Sequence, residues 1–291
     1  MKATIEALAG NFLAWARIPW VRRVAMVLAT GLFVAGFYVS AQQVEGDITV
    51  QSWAALIAVC LCVVPALIAL NGMEMKLAAA MVGVPMTFWR ALGISVQASA
   101  ANLLPLPAGP MLRAGAVMGG GASLSQGGLS VLLPAFLWLA IGLLISAAAG
   151  FVLGAMEAAL VLFLMGAAIT ALVVLVASRS RVARPAFAGL FAVKVLTALL
   201  DALALYLLFQ VIGVAASAVQ TGMLAASAPL GAAVAVVPSG LGVRELAASG
   251  LGVMAGLSAA SAFLVPSLLR LIFLGVLVPL SLLFALLKPR S

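Results

Sequence analysis

Six apolar runs constrain this chain more than any other feature. Residues 24–44, 53–70, 130–150, 157–177, 187–212 and 263–287 each approach or exceed the ~20 residues a helix needs to cross hydrocarbon. A soluble globule would need roughly 25% charged residues. Here 8% of the 291 residues are charged and 66% are hydrophobic. The expected class is therefore an all-α polytopic membrane protein. An outer-membrane barrel would show alternating strands separated by turn clusters, and that pattern is absent. The first run follows Arg22-Arg23 and ends on Val39-Ser40-Ala41, imitating a signal peptide. Its apolar part is too long for a signal h-region, so it is read as the first span. Before it, residues 1–23 carry Ile5, Leu8, Phe12 and Trp15 at helical spacing among Lys2, Arg17, Arg22 and Arg23, the pattern of an interfacial amphipathic helix.

Two further apolar stretches are broken. Ala91 to Leu104 runs into Pro105-Leu106-Pro107-Ala108-Gly109-Pro110, and the stretch from Thr221 breaks at Pro238-Ser239-Gly240-Leu241-Gly242 before continuing to about residue 260. Lipid cannot satisfy an interrupted backbone, so such breaks occur at membrane depth only where protein or a water-filled cavity surrounds them. The expected form is two re-entrant helical hairpins, at about 88–128 and 221–260. Orientation follows from the basic residues. With both breaks re-entrant, Lys2, Arg17, Arg22, Arg23, Lys76, Arg90, Arg179, Arg181, Arg184, Lys288 and Arg290 fall on one side, and Glu45, Asp47 and Glu157 on the other. The basic side is the cytoplasmic one, which puts both termini in the cytoplasm of a multi-pass protein of the bacterial inner membrane. This placement accounts for most of the net charge of +8 without a nucleic-acid partner.

The breaks are also related to each other. Pro107-Ala108-Gly109-Pro110-Met111-Leu112-Arg113 and Pro238-Ser239-Gly240-Leu241-Gly242-Val243-Arg244 share one pattern, 131 residues apart. The same offset carries the first three spans close to the last three. The domains expected are a first repeat over 24–152 and a second over 153–291. Three spans per half insert the halves in opposite orientation, with hairpins entering from opposite faces, the plan of inverted-repeat transporters.

The stretch Pro238-Ser239-Gly240-Leu241-Gly242-Val243-Arg244-Glu245, paired with Asn102 to Arg113, resembles the lysylphosphatidylglycerol synthase transmembrane family. That family includes the flippase domain of the multiple peptide resistance factor and stand-alone membrane proteins, some near hopanoid biosynthesis. The resemblance implies lipid translocation and leaves the lipid open. Many members carry an acidic residue soon after the first proline-glycine turn, where this chain has Pro110-Met111-Leu112, so no first-hairpin acid carries over. No lysyl-transferase domain follows residue 291, and synthesis of an aminoacyl lipid is not expected.

Within the spans and hairpins Arg113, Lys194, Arg244 and Arg270 are opposed by Asp201 and Glu245, while Glu74, Lys76 and Arg90 are read as a return to the basic side. A charge at the bilayer centre costs about 2.5–3.5 kcal/mol even on the mildest scale, so each should face a partner or a cavity. The excess of two positives points to an anionic ligand. Arg113 and Arg244 occupy equivalent positions after the two turns, and a guanidinium fork suits a phosphate. The alternative is that each caps carbonyls or pairs with Glu245 to hold its hairpin. Glu245 diverges from Arg244 by roughly 100° on a helix, so its partner is sought in Arg113, Arg270 or Lys194. It is either a proton-carrying carboxylate or a permanent ion-pair member. Lys194 and Asp201 share a helix face about 10 Å apart; Lys194 either snorkels toward the cytoplasmic head groups or contacts the ligand, and Lys194, Asp201 and Arg270 are kept with Arg113, Arg244 and Glu245 as candidate substrate-binding residues. Turn residues Pro107, Gly109, Pro238, Ser239, Gly240 and Gly242 complete the candidate substrate site.

No cofactor or metal is expected. The chain has no histidine, and Cys60 and Cys62 point in different directions on one helix. A Ser239–Lys194 dyad would make a hydrolase, but the repeat counterpart of Ser239 is Ala108 and nothing else supports a nucleophile. The leading expectation is a lipid transporter or flippase whose partner is a phospholipid, polyprenyl phosphate or hopanoid-type lipid. A lipid-modifying enzyme and a non-transporting scaffold for envelope biosynthesis are the alternatives. A homo-oligomer is compatible with the sequence and is not specified by it.

Overall fold

The computed structural model describes residues 19–44, 50–102, 108–180, 182–233 and 240–286. Every regular element among them is helical: α1 (Pro19–Gln43), α2 (Trp53–Met81), α3 (Phe88–Ala101), α4 (Ala108–Met118), α5 (Leu124–Val152), α6 (Met156–Arg179), α7 (Arg184–Val211), α8 (Ala218–Met223), α9 (Ser227–Ala233), α10 (Val243–Met254) and α11 (Ala259–Leu286). Six of these, α1, α2, α5, α6, α7 and α11, are long and apolar enough to cross a membrane. The chain is a multi-pass membrane protein. The interfacial helix expected over 1–23 falls on residues outside the described ones, except that Pro19–Arg23 open α1.

Helix α2 runs past the expected stop at Asn71-Gly72 and carries Glu74 within it. The reason is local. A Cβ on Gly72 would lie about 3.0 Å from Leu92, so the bare backbone is what lets α3 pack closely there. The Ser95 hydroxyl of α3 donates to the Asn71 carbonyl at 3.0 Å. Because lipid provides no hydrophobic force between helices, close packing of this kind is what assembles them. The α2–α7 contact is filled by Val59, Val63 and Val64 against Leu205, Leu208 and Phe209. A second cluster joins Leu133, Leu137 and Ile141 of α5 to Val173 of α6 and Leu190 of α7. α1 and α6 are mostly exposed, as lipid-facing helices are, and α5 is the most enclosed.

The run α1 to α5 is followed by α6, α7, α8–α9, α10 and α11, a similar order of long and short helices. Packing follows the same exchange. α5 packs on α6 as α11 does on α1; α3 packs on α11 as α8 does on α5; α4 packs on α5 as α10 does on α11; and α2 packs on α7. Corresponding turns carry left-handed glycines, Gly83 with Gly213 and Gly121 with Gly256.

The correspondence breaks in the second half. α3 is continuous, whereas its counterpart is interrupted by a 3₁₀ turn at Leu224–Ala226. The Ala226 N–H is satisfied at 2.9 Å by the Ser146 hydroxyl of α5. Likewise α4 begins before Gly109, but α10 begins only after Gly240 (φ 61°) and Gly242 (φ 80°), both left-handed. Arg113 therefore sits in the middle of its helix, and Arg244 at the start of its own.

Candidate functional site

Two buried charge clusters lie in the bundle, one joining α2, α4 and α7 and the other joining α10 and α11. In the first, Glu74 of α2 accepts two cations. Its Oε1 is 3.0 Å from Arg113 Nη1 of α4, and its Oε2 is 2.7 Å from Lys194 Nζ of α7. Arg113 Nη2 also donates to Ser95 Oγ of α3 at 3.2 Å. The Lys194 ammonium lies 5.2 Å from the centre of the Trp138 ring of α5, within cation–π range. One carboxylate thus ties α2 to α4 and α7, with Glu74 and Lys194 both buried.

The second cluster is built at the start of α10. Glu245 is fully buried. Its Oε2 accepts the Gly242 N–H at 2.9 Å, closing the helix N-terminus, and its Oε1 lies 2.9 Å from Arg270 Nε of α11. Arg270 Nη2 reaches the Gly240 carbonyl at 3.4 Å. α9 and the start of α10 are pressed together beside it, since a Cβ on Gly231 of α9 would lie 2.7 Å from Arg244 Cβ.

Arg244 differs from Arg113, Lys194 and Arg270, each of which pairs with a carboxylate. Its Nε and Nη2 are out of contact with solvent and have no hydrogen-bond partner among the described residues. Asp201, half-buried on α7, makes no ion pair or hydrogen bond among the described residues.

Several sequence expectations change accordingly. Lys194 does not snorkel: Glu74 holds it inside the bundle, because a short buried pair with a carboxylate is available there. Arg113 and Arg244 are not twins, since Arg113 is bound by Glu74 and Ser95 while Arg244 is open. Of the three candidate partners for Glu245, the structure selects Arg270. Glu74 is no loop residue, so the buried positive excess falls from two to one. Lys194 is engaged by Glu74 rather than free to act as a base. Gly109 lies in the first turn of α4, and Gly240 and Gly242 just precede α10, while Pro107, Pro238 and Ser239 lie outside the described residues.

Glu74, Ser95 and Trp138 were missed by reading the sequence. The uncompensated excess of two positives was the signal that a buried acid had been overlooked. Among the described residues no group of three histidine, cysteine, aspartate or glutamate side chains could hold a metal ion. The chain matches no protein-family profile and no curated protein.

Proposed function

We propose that this chain is a lipid transporter, a flippase of the bacterial inner membrane that moves a polar phosphate-bearing head group across while the apolar chains stay in the bilayer. The carrying observation is Arg244, a guanidinium inside the bundle with two donors unpartnered. Charges at membrane depth mark ligand paths, and a phosphate offers the oxygens those donors lack. Arg113, engaged by Glu74 and Ser95, holds the first hairpin rather than the lipid.

The finer architecture belongs to the same proposal. α3, α4 and α10 have 14, 11 and 12 residues. At ~1.5 Å per residue each falls short of a ~30 Å hydrocarbon core, which supports α3–α4 and α8–α10 as re-entrant hairpins. Three spans per half then place the halves in opposite orientation with both termini cytoplasmic. The resemblance to the lysylphosphatidylglycerol synthase transmembrane family agrees with this reading. Movement of the hairpins against α5, α7 and α11, on which they pack, would expose Arg244 to one leaflet and then the other.

The test uses purified chain in proteoliposomes with acyl-labelled phospholipids and a membrane-impermeant quencher. Wild type should exchange label between leaflets without changing the mass of the lipid. Arg244→Ala should slow exchange at least about tenfold, the worth of a charge-assisted hydrogen bond, with Arg244→Lys intermediate. No exchange of any phospholipid by wild type would refute the transporter reading, and an altered lipid mass would favour an enzyme.

A further inference from the structure

Helix α6 packs chiefly on α5 and leaves most of its remaining surface exposed. Beside their seam runs a groove of about 660 Å³, lined by Leu144 of α5 and by Phe163, Ala167, Ala171, Val174 and Leu175 of α6. Small side chains make the hollow. A Cβ on Gly166 would lie 2.9 Å from Leu144 Cγ, so Leu144 packs directly on the backbone of α6, and Ala167 and Ala171 fill little of the space beside it. Thr170 and Ser178 also line the groove, but their hydroxyls donate to the Gly166 and Leu175 carbonyls at 2.7 and 2.8 Å. The walls therefore present hydrocarbon. From Phe163 to Ser178 the lining runs about 22 Å at ~1.5 Å per residue, more than one leaflet of a ~30 Å hydrocarbon core.

Charge is confined to the helix ends, with opposite sign. Glu157 stands in the first turn of α6 and Arg179 in the last. Arg179 is four residues beyond Leu175, so it continues the groove-lining face one turn on. Arg184, also exposed, opens α7 across the short turn. An apolar groove with a basic end matches a phospholipid whose head group is anionic, and basic residues at the ends of spanning helices attract such lipids. A second copy of the chain matches less well. Both copies would share one orientation in the bilayer, so a two-fold α6–α6 contact would set Arg179 against its own counterpart, like charge on like.

We infer that the α5–α6 groove is a binding site for an anionic phospholipid, with one acyl chain lying along Ala167 and Ala171 and the phosphate received by Arg179. The site requires only that α6 spans the membrane and does not rest on the reading of Arg244.

The experiment reconstitutes the full chain in vesicles of equal phosphatidylglycerol and phosphatidylethanolamine, one of the two carrying a photoactivatable diazirine on its acyl chain. After irradiation the labelled peptides are mapped by mass spectrometry. Phosphatidylglycerol should label residues 163–178 at least about fivefold more than phosphatidylethanolamine, the worth of one basic residue at the membrane surface. Arg179→Gln combined with Arg184→Gln should bring that ratio to about one. Ala171→Phe, at an exposed position, should fill the groove and lower phosphatidylglycerol labelling of the segment. Equal labelling by the two lipids in wild type overturns the inference without recourse to any variant. So does a preference that survives the double glutamine substitution or is untouched by Ala171→Phe. Protection of the segment from both lipids, with cross-linking between copies through Ala171→Cys after Cys60 and Cys62 are replaced by alanine, would make a second copy the occupant and also overturn it. Leaflet exchange in the same vesicles reports separately on Arg244, so selective labelling without exchange keeps this site while removing transport.

Discussion

Glu74 shows how much a single residue can decide. Its carboxylate compensates Lys194, which is 3% exposed, and Arg113, whose side chain is 21% exposed. Removing one partner of a buried pair leaves the other charge stranded, at a cost of about 3–5 kcal/mol. Glu74→Gln should therefore lower stability by that order in thermal or denaturant unfolding of the detergent-solubilised protein. Adding Lys194→Met to that variant should recover part of the loss by removing the stranded ammonium. Arg113→Ala should cost less than Glu74→Gln, because Lys194 still pairs with the carboxylate. An equal loss in all three variants would contradict the shared-carboxylate arrangement. Composition could show that the bundle lacked an acid, but not which one. Glu74 lies beside Lys76 beyond an Asn71-Gly72 pair that resembles a stop, and only the close approach of α3 at Leu92 explains why the helix continues.

At the level of the element, the seven-residue pattern shared by the two breaks has a packing cause. A Cβ on Gly109 would overlap the Asn102 side chain and the Ala98 carbonyl, and a Cβ on Gly240 would overlap the Gly231 backbone. In each case the motif glycine lies where the chain after the break packs closely on the helix before it. Gly240 is also left-handed at φ 61°, so Gly240→Ala combines backbone strain with a clash. The expected loss is at least about 1–3 kcal/mol, detected as lowered unfolding temperature together with lost leaflet exchange. A fully stable Gly240→Ala protein would mean that the arms do not pack as described. The 3₁₀ break at Leu224–Ala226 was not legible, since the group that satisfies it, Ser146, lies 80 residues earlier in the chain. Ser146→Ala should leave the buried Ala226 N–H without an acceptor, at about 1–3 kcal/mol.

For the whole molecule, the six spans were legible because they depend on a local pattern, apolar length. The asymmetry was not, because it comes from Glu74 in one half and the paired left-handed glycines of the other. This asymmetry gives the halves different work under the proposed function: the first hairpin is tied by ion pairs to α2 and α7, while the second carries the open arginine. That division of work is meaningful only if the hairpins open to opposite sides of the membrane, which single cysteines can establish. Ser125 at the start of α5 and Ala259 at the start of α11 occupy corresponding turns and are both exposed. With Cys60 and Cys62 replaced by alanine, Ser125→Cys should react with an impermeant maleimide only from the cytoplasmic side, and Ala259→Cys only from the outside. Labelling of both from one face would place the halves in the same orientation. It would also move either the first or the second group of basic loops across the membrane against the positive-inside bias, and the inverted arrangement would then be rejected while the ion-pair clusters stood unchanged.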